Sequence, residues 1–104
     1  MVVYISGPIT GVPDYKDRFQ TAADLILAEG NTVVNPANMD MVIDGELTHK
    51  QIMEMDIKLM ECCDAVYMLP GWENSKGAKR EHAEAMIRRM KVRYLEDREE
   101  GKRE

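Results

Sequence analysis

Three strand-then-helix alternations in a row predict a three-layer α/β domain on a small parallel sheet of four to five strands. Three observations carry that expectation. Short β-branched runs end at Ser6-Gly7-Pro8, Asn35-Pro36 and Pro70-Gly71; helical periodicity fills the intervals; and 104 residues suit one domain and leave no room for two.

Val2-Val3-Tyr4-Ile5 reads as a buried first strand, followed by a loop from Gly7 to Pro13 with two glycines and two prolines. From Asp14 the apolar positions Phe19, Ala22, Ala23, Ile26 and Leu27 recur at helical spacing until Gly30 stops the helix. Thr32-Val33-Val34 forms the second strand. Residues 37–47 read as a loop with room for one helical turn. Thr48 and Gln51 have the spacing of a capping box, so a helix begins at Thr48 and runs to about Cys63. Asp64 to Leu69 is the third strand. A helix then starts near Ser75 and runs to about Met90, and Val92 to Leu95 makes a short fourth strand. The domain thus covers 1–95, and 96–104 is a mixed-charge tail expected to fray.

A net charge of −5 argues against broad contact with nucleic-acid polymers or an anionic membrane surface. No apolar run approaches the ~18 residues of a membrane-spanning helix. The N-terminus lacks a basic segment and reads as a strand rather than a signal peptide, so the expected location is cytoplasmic. Cys62 and Cys63 stand side by side without metal-ligand spacing, and His49 and His82 are far apart. No metal site is expected, and the thiols read as a small buried pair on a helix. Nine methionines against one phenylalanine suggest an adaptable core.

Right-handed crossovers place every strand-to-helix loop at one sheet edge, where ligands of such folds bind. Three features there could carry chemistry. In Ser6-Gly7-Pro8-Ile9-Thr10-Gly11, glycine would let backbone N–H groups approach a ligand oxygen, although a tight turn explains the segment about as well. Asn74-Ser75-Lys76-Gly77-Ala78 opens a helix whose N-terminus suits an anion. Lys76, Lys79 and Arg80 there oppose the helix dipole, as they would beside an anionic guest. An ordinary N-cap with solvated cations fits equally well. The third feature is a pair of acids. Asp56 falls on a stripe formed by Ile52, Leu59, Met60 and Cys63, and Glu81 sits between Ala78 and Ala85. A carboxyl against apolar surface tends to hold its proton, and paired carboxyls are the equipment of glycoside cleavage. Solvated or salt-bridged acids at the stripe edges are the plainer alternative.

Tyr4-Ile5-Ser6-Gly7-Pro8-Ile9-Thr10-Gly11, Met55-Asp56, Cys63-Asp64-Ala65-Val66 and Ser75-Lys76-Gly77 with Glu81 together resemble the nucleoside 2-deoxyribosyltransferase superfamily. The order is most similar to its 2′-deoxynucleoside 5′-phosphate N-hydrolases, over residues 4 to about 85. A closer likeness is to short bacterial and phage proteins with the same opening segment. The resemblance implies a Rossmann- or flavodoxin-like fold and cleavage or transfer at an N-glycosidic bond, with no metal or organic cofactor. By the same likeness Glu81 is the nucleophile at C1′, Asp56 assists the leaving base, and Tyr4 positions the glutamate. Ser75 and Gly77 match phosphate-binding residues, while Ser6, Gly7, Gly11 and Asp64 complete the expected substrate contacts. Where the hydrolases continue Gly-Tyr-Glu-Leu-Gly, this chain has Lys79-Arg80-Glu81-His82-Ala83, and the two cations are expected to lower the proton affinity of Glu81.

The leading expectation is therefore double displacement on a nucleotide or nucleoside, with Lys76, Lys79 or Arg80 helping to hold a 5′-phosphate. It also requires Asp56 and Glu81 to meet in one pocket. The alternatives are a non-catalytic nucleotide-binding or sensing module, and an accessory protein acting through oligomer contacts. The resemblance also implies a homo-oligomer, because sites in that superfamily often lie near subunit interfaces.

Overall fold

The structure, a computed structural model, describes residues 1–38 and 48–96. Its elements are β1 (Val2–Ser6), α1 (Tyr15–Ala28), β2 (Thr32–Val34), α2 (His49–Glu61), β3 (Ala65–Met68), α3 (Lys76–Ile87) and β4 (Lys91–Tyr94). All strand pairings are parallel, in the order β2-β1-β3-β4. This is the three-layer, Rossmann-like α/β arrangement that the sequence predicts, with four strands.

Alternation along β1 divides the core in two. Val3 and Ile5 face α1 and pack with Phe19, Ala22, Ala23 and Ile26. Tyr4 faces the opposite way, with Val66 and Met68 of β3, against Met53, Ile57 and Met60 of α2 and Ala78 and Ala85 of α3. The chain steps from β1 to β2 on one side and returns to β3 on the other. The change of direction falls between β1 and β3, and the loops that leave their carboxyl ends run to opposite faces of the sheet.

The local signals for helix ends work where their chemistry is complete. Thr48 caps α2: its hydroxyl accepts from Gln51 N–H at 3.1 Å, and Gln51 Oε1 accepts from Thr48 N–H at 2.8 Å. α1 ends in paired bonds, Gly30 N–H to the Leu27 carbonyl and Asn31 N–H to the Ile26 carbonyl, with Gly30 at φ 86°. α3 ends the same way, Arg89 N–H to Met86 and Met90 N–H to Ala85, but Arg89 takes the left-handed position at φ 58°. The helix therefore stops at Ile87 and not near Met90, at a residue whose side chain gives no such signal.

Two further expectations are corrected. Cys62, at the end of α2, is exposed, whereas Cys63 is half-buried and packs at the edge of the core beside Met60, so the two thiols are not a buried pair. The buried stripe of α2 runs through Met53, Ile57 and Met60, one residue round from the expected line, which leaves Ile52 and Asp56 on its flank. The expected turn in 37–47 begins as a single 3₁₀ turn at 36–38; residues 39–47, and 97–104 of the expected tail, lie outside the described residues. No described helix is long and apolar enough to cross a membrane.

Candidate functional site

A cavity of about 250 Å³ opens at the carboxyl edge of the sheet. The loop after β1 contributes Gly7, Ile9 and Thr10, and the turn after β2 contributes Pro36 and Ala37. Tyr15 and Phe19 of α1 form an aromatic wall, edge to face with ring centres 6.4 Å apart. Across from them stand Ile52, Met53 and Asp56 of α2 and Ser75, Gly77, Ala78 and Glu81 at the start of α3.

Glu81 is on the buried stripe of α3 with Ala78 and Ala85, three before it and four after it. The alanines bring the helix close to the sheet, so a carboxyl between them reaches the sheet face. There it meets Tyr4 and Ser6, which alternation turns to the same side of β1. Tyr4 donates its hydroxyl to Oε2 at 2.6 Å, and Ser6 donates to Oε1 at 2.5 Å. Among the described residues, every buried side-chain nitrogen and oxygen has a partner.

Glu81 is only 6% exposed. Burial pushes its pKa up to about 7, against the two hydroxyl bonds, which favour the ionised form, and with a smaller upward push from Asp56. The expectation that Lys79 and Arg80 would lower it is corrected: both are exposed and neither lines the cavity. Burial, and then the Glu81 charge, raise the pKa of Tyr4 well above a free phenol, so its hydroxyl stays a donor. Burial also raises Asp56. Asp56 makes no hydrogen bond or ion pair among the described residues and faces the cavity half-buried.

The structure thus brings Tyr4, Gly7, Asp56, Ser75, Gly77 and Glu81 to one cavity. Gly7 has no room for a side chain, since a Cβ there would lie 2.7 Å from Leu69 Cβ. Ser75 both lines the cavity and caps α3, accepting from Ala78 N–H at 3.2 Å. Three expected contacts fall elsewhere. Ser6 is 1% exposed and reaches Glu81 rather than open space. Gly11 does not line the cavity and sits exposed in the loop with φ 79°. Asp64 lies at the amino end of β3, where its carboxylate accepts from Val2 N–H at 2.7 Å; it caps the far edge of the sheet and does not line the cavity. Lys76, like Lys79 and Arg80, is exposed and outside the lining, so a phosphate in the cavity would rest on neutral donors.

Sequence reading named the loop that holds Thr10 without singling that residue out, and gave no site role to Tyr15 and Phe19. The signal for the last two was their spacing of four on α1, which places both on one face. Trp72 and His82 stack beyond the cavity with ring centres 4.2 Å apart, and His82 Nε2 lies 2.6 Å from the Tyr94 hydroxyl, which ties the loop after β3 to β4. Among the described residues no group of three or more His, Cys, Asp or Glu could hold a metal.

No curated protein matches the chain. The family model described as a domain of unknown function (DUF4406) matches residues 1–94, and the chain belongs to that family.

Proposed function

We propose that the protein cleaves the N-glycosidic bond of a nucleoside or nucleotide, by hydrolysis or base transfer, through a covalent glycosyl ester on Glu81. The observation that carries this reading is a buried carboxyl, oriented by two hydroxyl donors, in a cavity that a second carboxyl also lines. In the first step a Glu81 oxygen bonds to C1′ as the C1′–N bond breaks. The bonding pair leaves with the base, whose nitrogen takes the proton of Asp56. In the second step water attacks C1′ and gives its proton to Asp56, and the ester bond returns its electron pair to Glu81. A second base in place of water gives transfer.

The productive state carries one proton between the two carboxyls, placed on Asp56. Tyr15 and Phe19 on one side and Ile52 on the other suit a planar base, and the α3 end at Ser75 and Gly77 offers neutral donors to a 5′-phosphate. A homo-oligomer acting on cytoplasmic nucleosides or nucleotides belongs to the same proposal; the exposed Met86, Ile87 and Tyr94 are apolar surface that a second copy would cover.

The test is to incubate the protein with a panel of ribo- and deoxynucleosides and their 5′-monophosphates and to detect free base by chromatography. Base release supports the reading. Binding without release would favour a non-catalytic nucleotide-binding module instead.

A further inference from the structure

Ser6 occupies a position that composition alone would fill with an apolar residue. It is the last residue of the central strand β1, it is 1% exposed, and its carbonyl is held by Leu69 N–H at 2.8 Å. A hydroxyl sealed at such a place costs free energy unless it is bonded. Its partner is Glu81 Oε1, at 2.5 Å, the short end of the range for a hydroxyl donating to a carboxylate. Tyr4, two residues earlier on the same strand face, holds the other oxygen. The carboxyl plane of Glu81 is therefore fixed at both oxygens by one rigid strand, and each oxygen keeps a lone pair that no hydroxyl occupies.

We propose that Ser6 is a positioning residue for Glu81, holding Oε1 so that the carboxylate stands ready and correctly turned toward the cavity. This departs from the substrate contact expected of Ser6 from sequence, because Ser6 does not line the cavity. For its catalytic meaning the proposal rests on Glu81 being the nucleophile. The geometry itself does not depend on that.

The groups facing Glu81 are Tyr4 from β1 and Asp56 from α2; on α3 itself the neighbouring Lys79 and Arg80 point to solvent. Tyr4 and Ser6 favour the ionised carboxylate, whereas Asp56 and burial oppose it. Removing the Ser6 donor leaves the opposing influences in place. The Glu81 proton should then leave at higher pH.

The experiment is a pH titration of the side-chain carboxyl carbons in protein labelled with ¹³C-glutamate, with Glu81 assigned by its disappearance in Glu81→Gln. Ser6→Ala should move the Glu81 midpoint upward by roughly one to two pH units, the equivalent of one bond to a charged acceptor. Ser6→Cys, nearly the same size but a weak donor, should fall between parent and Ser6→Ala, and it carries the test should the alanine variant fail to fold. In base release, Ser6→Ala should lower kcat at pH 6 to 7 by about tenfold or more and leave KM within a few-fold, since no substrate contact is lost. An unmoved Glu81 midpoint in Ser6→Ala or Ser6→Cys would overturn the proposal. So would a rise in KM confined to monophosphates. A parent that releases no base while the midpoint still moves would remove the glycosidase reading and leave Ser6 as the residue that sets Glu81.

Discussion

The Tyr4 hydroxyl and Glu81 Oε2 lie 2.6 Å apart although 77 positions separate the two residues in the chain. The bond joins the central strand to the last helix and puts a carboxyl inside the protein at the mouth of the sheet. A carboxyl held there must be compensated or neutral, and that single fact has consequences for both stability and reactivity.

The first consequence is a pH-dependent stability that Glu81→Gln removes. The folded protein holds the Glu81 proton up to about pH 7, whereas the unfolded chain releases it near 4.5. Between those values the folded state binds more protons, so stability falls as pH rises, by roughly 3 kcal/mol in all, and is flat beyond both ends. Urea unfolding from pH 4 to 8 should show that fall in the parent relative to Glu81→Gln. Parallel curves for the two proteins would mean that Glu81 is ionised and solvated.

The pH profile of base release should depend on the leaving group. Ordinary nucleosides need one proton on the Asp56–Glu81 pair. Their rate should peak between the raised Asp56 range and about 7, and decline above it as the second proton leaves. A substrate whose base departs without protonation needs only ionised Glu81, so its rate should rise through about pH 7 and level off. Asp56→Asn should cost ordinary substrates ~10²–10⁴ in rate and spare the activated one. Equal losses on both substrates would remove Asp56 as the acid.

Ser75→Ala separates a helix cap from an anion contact. Loss of the bond from Ala78 N–H should cost about 1 kcal/mol in stability for any substrate preference. If Ser75 also meets a 5′-phosphate, KM should rise several-fold for monophosphates and stay level for nucleosides. Equal changes in both would make Ser75 a cap alone.

At the other edge of the sheet, Asp64→Ala should lower stability by about 1 kcal/mol through the orphaned Val2 N–H, and leave base release at the parental rate. Unfolding and activity measured on one preparation decide it. Loss of activity at unchanged stability would return Asp64 to the site.

What was legible in the sequence follows the range of each signal. Local chemistry read correctly: Gly30 at the end of α1, the Thr48–Gln51 box, and the start of α3 near Ser75. Arg89 hid the end of α3, because a side chain without special turn chemistry takes the left-handed place there. Asp56 was read onto the wrong line of α2, since Met53 and Ile57 lie one residue round from the expected stripe and only packing selects between two such lines. Ser6 and Asp64 show the remaining limit. Spacing places a polar residue at a strand end, but which way it turns, toward a ligand, a buried carboxyl or a neighbouring N–H, depends on contacts 75 and 62 positions away.

Base release by Glu81→Gln beside the parent, both shown folded by the same circular dichroism and both binding nucleoside, tests the central claim most directly. Glutamine keeps the size of the side chain but cannot form the glycosyl ester, and Asp56 would be engaged with the leaving base. The account predicts a fall of ~10⁴ or more with binding retained. Turnover by Glu81→Gln at the parental rate would contradict it.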